Sequence, residues 1–192
     1  MRAFAYLLDF DNSAANSVNT HGLELKGPYD LSSSSELNYL LIGEVKVDAQ
    51  NNPMDYGEYY FRGQLGVTNP IGHCGFGVEV MTSDGAGGRF RFPLGTNHKF
   101  KRFADAFLTT PADGLIDVYA WVGTEAIGLK HVVTAHDYRT EHSSTDLGWE
   151  IDYDASRKIS DNVSLLFKGF WLDGKGRQAD VTRATVEMNF SF

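Results

Sequence analysis

Six basic side chains crowd one short stretch of an otherwise acidic chain: Arg89, Arg91, His98, Lys99, Lys101 and Arg102. The 192 residues carry 17 Lys and Arg against 25 Asp and Glu, a formal net charge of −8. Against that background the cluster can attract anionic solutes, as rings of charge do in pores. The plainer alternative is a solvated loop, or one that pairs with acidic lipopolysaccharide. Glu150, Asp152 and Asp154 alternate, so on a strand they share one face some 7 Å apart. Such a ladder could bind Ca²⁺; a strip of water-facing carboxylates is the simpler account. His131 and His136, five apart, point to opposite faces of a strand and cannot chelate together. No Ser-His-carboxylate triad can be read from the order of residues. Gly85-Ala86-Gly87-Gly88 lacks the strand–loop–helix setting of a phosphate cradle. The single Cys74 makes neither an internal disulfide nor a metal pattern. These residues predict no catalytic site, no metal and no cofactor, and the pI near 5.1 argues against nucleic acid.

Strands must position these groups. Val181–Phe192 alternates strictly: Ala184, Val186, Met188, Phe190 and Phe192 are apolar, while Arg183, Thr185, Glu187, Asn189 and Ser191 are polar. One sheet face is therefore greasy and the other wet. About ten such segments recur, near 2–10, 18–28, 35–48, 57–68, 72–82, 114–123, 128–138, 146–156, 162–172 and 180–192. Each is roughly long enough to span an outer membrane when tilted. No apolar run approaches the roughly 20 residues of a spanning helix. Mean hydropathy is only −0.28, as expected if every second residue faces lipid.

The connections alternate in character. Those within 27–35, 68–72, 124–128 and 156–161 are mostly short; those near 11–17, 49–56, 83–113, 139–145 and 173–179 are longer and more polar. Short turns on one rim and long loops on the other is barrel architecture. Alternation places Leu37, Tyr39, Leu41, Val45, Val47, Tyr59, Phe61, Leu65, Val67, Leu147, Trp149, Ile151 and Tyr153 toward lipid. It places Glu44, Arg62, Glu150 and Asp152 in a lumen, with Asn38, Lys46, Tyr60, Gln64 and Asp154. The period leaves 129–138 unassigned. In the long connection 83–113, Phe100, Phe103, Ala104, Phe107 and Leu108 form a helical stripe ended by Pro111. An aromatic-faced helix near 98–108 needs a surface to pack on, and the inner wall is the candidate.

The stretch Phe92-Pro93-Leu94-Gly95-Thr96-Asn97-His98-Lys99-Phe100, followed by Phe103-Ala104-Asp105-Ala106-Phe107-Leu108 and Thr110-Pro111-Ala112-Asp113-Gly114-Leu115-Ile116-Asp117, resembles a segment of proteobacterial outer-membrane proteins of the alginate-export porin family. Tyr6–Asn12 and His136–Tyr138 extend the resemblance over nearly the whole chain. Phe103 stands where the family has Trp, and the assigned lumen is mixed in charge rather than arginine-rich. The resemblance implies a transmembrane barrel of more strands than ten, this chain being its C-terminal part, and a channel role; alginate as solute is not carried over.

The expectation is an all-β, antiparallel up-and-down transmembrane β-barrel, one domain over 1–192, closed by its own strands or forming part of a larger barrel. Its role would be passive passage of hydrophilic, including anionic, solutes or oligosaccharides, not catalysis. Its partners would be outer-membrane lipid, lipopolysaccharide, the barrel assembly machinery and small hydrophilic solutes, with Phe190 and Phe192 as the assembly signal. The rivals are a soluble lipocalin-like binding barrel, with an apolar interior, and a barrel enzyme acting on lipids. The first ten residues read as a strand rather than an export signal, so a truncated start is expected of an outer-membrane protein with this sequence.

Overall fold

The computed structural model describes residues 1–50, 52–53, 55, 57–92, 106–107, 109–176 and 178–191. Ten strands follow one another: β1 (Arg2–Leu8), β2 (Val18–Ser32), β3 (Ser35–Asp48), β4 (Gly57–Asn69), β5 (Gly72–Met81), β6 (Leu115–Ala126), β7 (Leu129–Arg139), β8 (Asp146–Ser160), β9 (Val163–Gly174) and β10 (Val181–Phe190). They form one sheet in sequence order, each strand antiparallel to the next. This is an up-and-down meander with no crossover. The sheet is open, with β1 and β10 at its edges.

The tight turns share one rim because an even strand count brings the chain back to it. Ile127 and Gly128 both have positive φ, 51° and 74°, the backbone of a two-residue hairpin turn matched to strand twist. Asn69 closes the β4–β5 turn by accepting from the backbone N–H groups of Ile71 (2.9 Å) and Gly72 (3.2 Å). Two connections are tighter than the sequence predicts. β2 continues through Gly27-Pro28 and turns only at Ser33-Ser34, and β8 continues to Ser160. Pro28 lies within β2, in register with Asn38 of β3; a proline is accommodated in a strand where its nitrogen would not donate to the ladder.

The two faces differ in kind. On one lie Leu41, Phe61, Phe76, Val118, Val122, Val186 and Phe190, all large, apolar and exposed. On the other lie Glu58, Tyr60, Glu79, Met81, Asp117, Tyr119, His136, Tyr138, Glu150, Asp152, Phe170 and Leu172, all buried. The alternation within each strand produces both at once. The buried face is covered by part of the connection between β5 and β6. Phe90 and Phe107 from that connection join Tyr60, Met81, Leu115, Tyr138, Phe170 and Leu172 in one cluster. The core thus lies between the sheet and its own loop rather than between two layers. Each fully buried aromatic there stabilises by roughly 1.5–3 kcal/mol.

Two side-chain placements differ from the simple alternation. Leu147 does not join Trp149 on the open face but packs against the buried cluster. The register shifts between Tyr138 and Arg139, whose partners are Gly148 and Asp146, leaving Leu147 as the extra residue of a bulge. A bulge bends the strand and re-aims its side chain, and Gly148, at φ 111°, supplies the backbone freedom. The covered face is also not uniformly polar: Met81, Leu115 and Leu172 make an apolar seat, the surface that the loop aromatics require. Strand β7, unassigned by period, presents Thr134, His136 and Tyr138 to the covered face and exposes Val133 on the other.

Candidate functional site

The connection between β5 and β6 begins as a small hairpin closed by a bridge between Ser83 and Arg89. Asp84 shapes its turn by accepting from the N–H groups of Ala86 (2.7 Å) and Gly87 (3.0 Å). The glycine-rich run is therefore turn chemistry. Ser83 Oγ donates to the carbonyls of Gly88 (3.0 Å) and Ala112, tying the outgoing and returning arms together. Gly114, at φ 71°, then brings the chain back into β6.

The seat of the loop is aromatic and cationic. Lys46, 2% exposed, donates from Nζ to the Arg91 carbonyl and lies 4.2 Å from the centroid of Phe90 and 5.5 Å from that of Phe92. Phe90 stacks on Tyr60 at 5.5 Å. At the other end of the loop Phe107, in a turn with Ala106, packs on Tyr138 with ring centroids 4.8 Å apart. Buried lysine is costly unless bonded, so Lys46 fixes the hairpin through its carbonyl contact and ring contacts together.

Beneath and beside this seat runs a strip of ionisable groups. Tyr60 donates to Glu79 Oε1 at 2.6 Å, and Tyr138 to Glu150 Oε2 at 3.1 Å. Arg62 bridges Tyr119 (3.2 Å) and Gln64 (3.3 Å). His136 Nδ1 lies 2.8 Å from Asp117 Oδ1, and its Nε2 lies 3.9 Å from Asp152 Oδ2. Glu79, Asp117, Glu150 and Asp152 are each 1% exposed or less. Taking such charges out of water costs several kcal/mol per ion unless partners compensate. A sheet stabilised for its own sake would carry Leu or Val here. Farther along, Lys168 pairs with Glu187 at 2.8 Å, and Arg183 sits over Phe170 at 5.4 Å.

The rings on this face lie close against the sheet. A Cβ on Gly75 would come 2.3 Å from Trp121, and one on Gly77 2.5 Å from Tyr119. Glycine at both positions lets the rings lie against the backbone instead of standing away from it.

Of the sequence-derived site residues, Glu44, Arg62, Glu150 and Asp152 all fall on the covered face, Glu44 directly across from Tyr60. Arg89 and Arg91 lie in the hairpin. Arg89 Nε is buried with no hydrogen-bond partner among the described residues. Burial, and then the neighbouring Arg91 charge, lower the Arg89 pKa from the ordinary arginine range; a guanidinium stays charged regardless. His98, Lys99, Lys101, Arg102 and Phe192 lie outside the described residues, as does the expected helix near 98–108 apart from Ala106 and Phe107. Phe190 is exposed on the edge strand β10. Glu150, Asp152 and Asp154 share one strand face; among the described residues no group of three or more His, Cys, Asp or Glu side chains is placed to hold a metal ion. The sequence reading weighs His136 only against His131 and does not bring it together with Asp117. The Asp117–Tyr119 alternation with Val118 and Ala120 carries the signal for Asp117; the Val132-Val133 doublet obscures the period for His136. In comparisons with protein-family models, curated proteins and solved structures, nothing matches this chain.

Proposed function

We propose that this chain forms the wall of a transmembrane β-barrel in a bacterial outer membrane and serves as a passive channel for hydrophilic solutes. The observation that carries the reading is the inversion of polarity across the sheet. Large apolar side chains are exposed on one face, while the carboxylates Glu58, Glu79, Asp117, Glu150 and Asp152 and the imidazole of His136 are buried on the other. In water that arrangement wastes the hydrophobic effect. In lipid it is the arrangement a barrel requires, with apolar residues outward and polar residues toward the lumen. Strands of 10–15 residues over β2–β10 suit a tilted span. Short turns on one rim and longer loops on the other fit the same picture.

The open edges β1 and β10 suit a barrel completed by further strands, as the resemblance to the alginate-export porin family implies. The chain would then interact with outer-membrane lipid, lipopolysaccharide and the assembly machinery. A soluble lipocalin-like barrel would need an apolar cup, and the carboxylates of the covered face fit a channel better. Solute choice would follow from the width left by the loop and from charge: the hairpin that carries Arg89 and Arg91 seats on the face that also bears Glu79, Glu150 and Asp152. The test is conductance in planar bilayers. The full-length protein, with its barrel complete, should form ohmic pores. Replacing Arg89, Arg91, Lys99, Lys101 and Arg102 by Gln should move the reversal potential toward cation selectivity. The shift should shrink at 1 M salt, where the Debye length is about 3 Å. Absence of conductance would overturn the channel role; an unchanged reversal potential would remove the basic cluster from the solute path.

A further inference from the structure

We propose that Trp121 is the floor of a sugar-binding site on the channel wall, taking one neutral pyranose ring of an oligosaccharide. The site rests on the channel reading for access to solute, and binding there can be read apart from conduction. The indole reaches sideways from β6 over two neighbouring strands. A Cβ on Gly75 of β5 would come 2.3 Å from its Cζ2, and one on Gly66 of β4 2.9 Å. Tyr119 reaches the same way over Gly77. The two rings are 6.0 Å apart between centroids and 30° apart in plane, so they pave adjacent rows of the sheet. The buried cluster that seats the β5–β6 loop takes in Phe90, Phe107 and Tyr138 but not Trp121 among the described residues, and Trp121 is only partly buried.

Strand pairing borders the indole with polar groups. Asn38 of β3, Gly66, Gly75, Trp121 and Thr134 of β7 lie in one row. Gln64, Gly77 and Tyr119 form the next row on the loop side, and Thr68, His73 and Gly123 the next on the turn side. Gln64 Oε1 accepts from the Tyr119 hydroxyl at 3.2 Å and from Arg62 at 3.3 Å. Asn38 Nδ2 donates to Thr68 Oγ1 at 3.4 Å. Gln64 Nε2 and Asn38 Oδ1 make no hydrogen bond among the described residues. A donor and an acceptor therefore remain beside the ring.

This combination matches a pyranose. The C–H hydrogens on the face of the sugar carry partial positive charge, and the negative face of an indole attracts them. The hydroxyls lie around the sugar's edge and both donate and accept, as the side-chain amides at the border do. An apolar surface with a few placed polar groups is the usual design of a small-molecule site. β-1,4-linked glucose, with its hydroxyls equatorial, presents such a C–H face on every unit. Charge selects against acidic sugars. Glu79, Asp117, Glu150 and Asp152 are buried on the same face, and Arg62 is engaged by Tyr119 and Gln64. A uronate meets like charge there, and a neutral glucose does not. Covering Gly66 and Gly75 needs only an apolar side chain, whereas holding a sugar needs the ring, so a leucine at this position separates the two roles.

The test is calorimetric titration of the full-length protein in dodecylphosphocholine micelles, a detergent without sugar, alongside conductance in planar bilayers. The probes are cellopentaose, the acidic pentamannuronate and the open-chain polyol mannitol. Cellopentaose should bind, and the other two should bind at least about tenfold more weakly. Trp121→Leu should weaken cellopentaose about tenfold, and Trp121→Phe, which keeps a smaller ring, about threefold. Gln64→Glu keeps the acceptor for Tyr119 and Arg62, removes the Nε2 donor and should weaken it about fivefold. Absence of cellopentaose binding overturns the site, as does wild-type affinity in Trp121→Leu. Equal binding of pentamannuronate or mannitol overturns the choice of a neutral sugar ring. If Trp121→Leu fails to assemble, Trp121→Phe and Gln64→Glu decide, and wild-type affinity in both overturns the site. Binding without conductance keeps the site and refutes the channel. Ohmic pores without binding do the reverse.

Discussion

Replacing Val118 by Arg distinguishes lipid from water outside the sheet. Val118 is half-exposed on the open face of β6, beside an apolar groove lined by Leu41, Phe61, Leu65, Phe76 and Val78. In water, an exposed Val→Arg change should alter stability by no more than about 0.5 kcal/mol. In a bilayer the position decides the cost. β6 has 12 residues; at about 3.4 Å each and a tilt near 45°, it rises roughly 29 Å. Val118 lies about two and a half residues before the strand centre, hence about 6 Å from the midplane by the same geometry. An arginine there should cost about 2–3 kcal/mol, within the range for midplane cations, a 30- to 150-fold fall in the folding equilibrium by the approximate tenfold-per-1.4 rule. The assay is reversible urea unfolding from phosphocholine vesicles, followed by the gel shift between folded and unfolded forms. A loss below about 0.5 kcal/mol would mean that water bathes this face, and the membrane placement would fall with it.

Three further outcomes are expected. Lys46→Met removes the donor to the Arg91 carbonyl and the cation over Phe90; losing about 2 kcal/mol of loop anchoring should raise the rate of proteolytic nicking in 82–92 at least severalfold, with the strands intact. Glu79→Ala strands the buried Tyr60 hydroxyl and should cost about 1–3 kcal/mol in denaturant unfolding, whereas adding Tyr60→Phe should recover part of the loss; full additivity would mean that the pair is not coupled. Deleting Phe192 should abolish the heat-modifiable outer-membrane species in cells, and normal assembly of that deletion would separate the chain end from any assembly signal.

What the sequence by itself determined is whatever depends on period two. Residues such as Phe61 and Arg62, or Ile151 and Asp152, must face opposite ways on any strand, so the ten strands and their two chemically distinct faces were legible from spacing alone. The tight turns were legible too, because Asn69, Pro70 and Gly128 have few other uses in such places. Spacing could not show the exceptions. A bulge at Leu147 moves one leucine across the sheet without changing composition, and Gly27-Pro28, which reads as a turn, lies inside β2. Nor could it bring partners together across strands. His136 lies nineteen residues from Asp117 and sixteen from Asp152 in the chain, and no local pattern marks the three as neighbours. Antiparallel register places them side by side. The loop then covers the same face, with Phe90 on Tyr60 and Phe107 on Tyr138. Periodicity is a property of one strand, whereas a buried charge and its partner are a property of strand pairing, which only the tertiary structure decides.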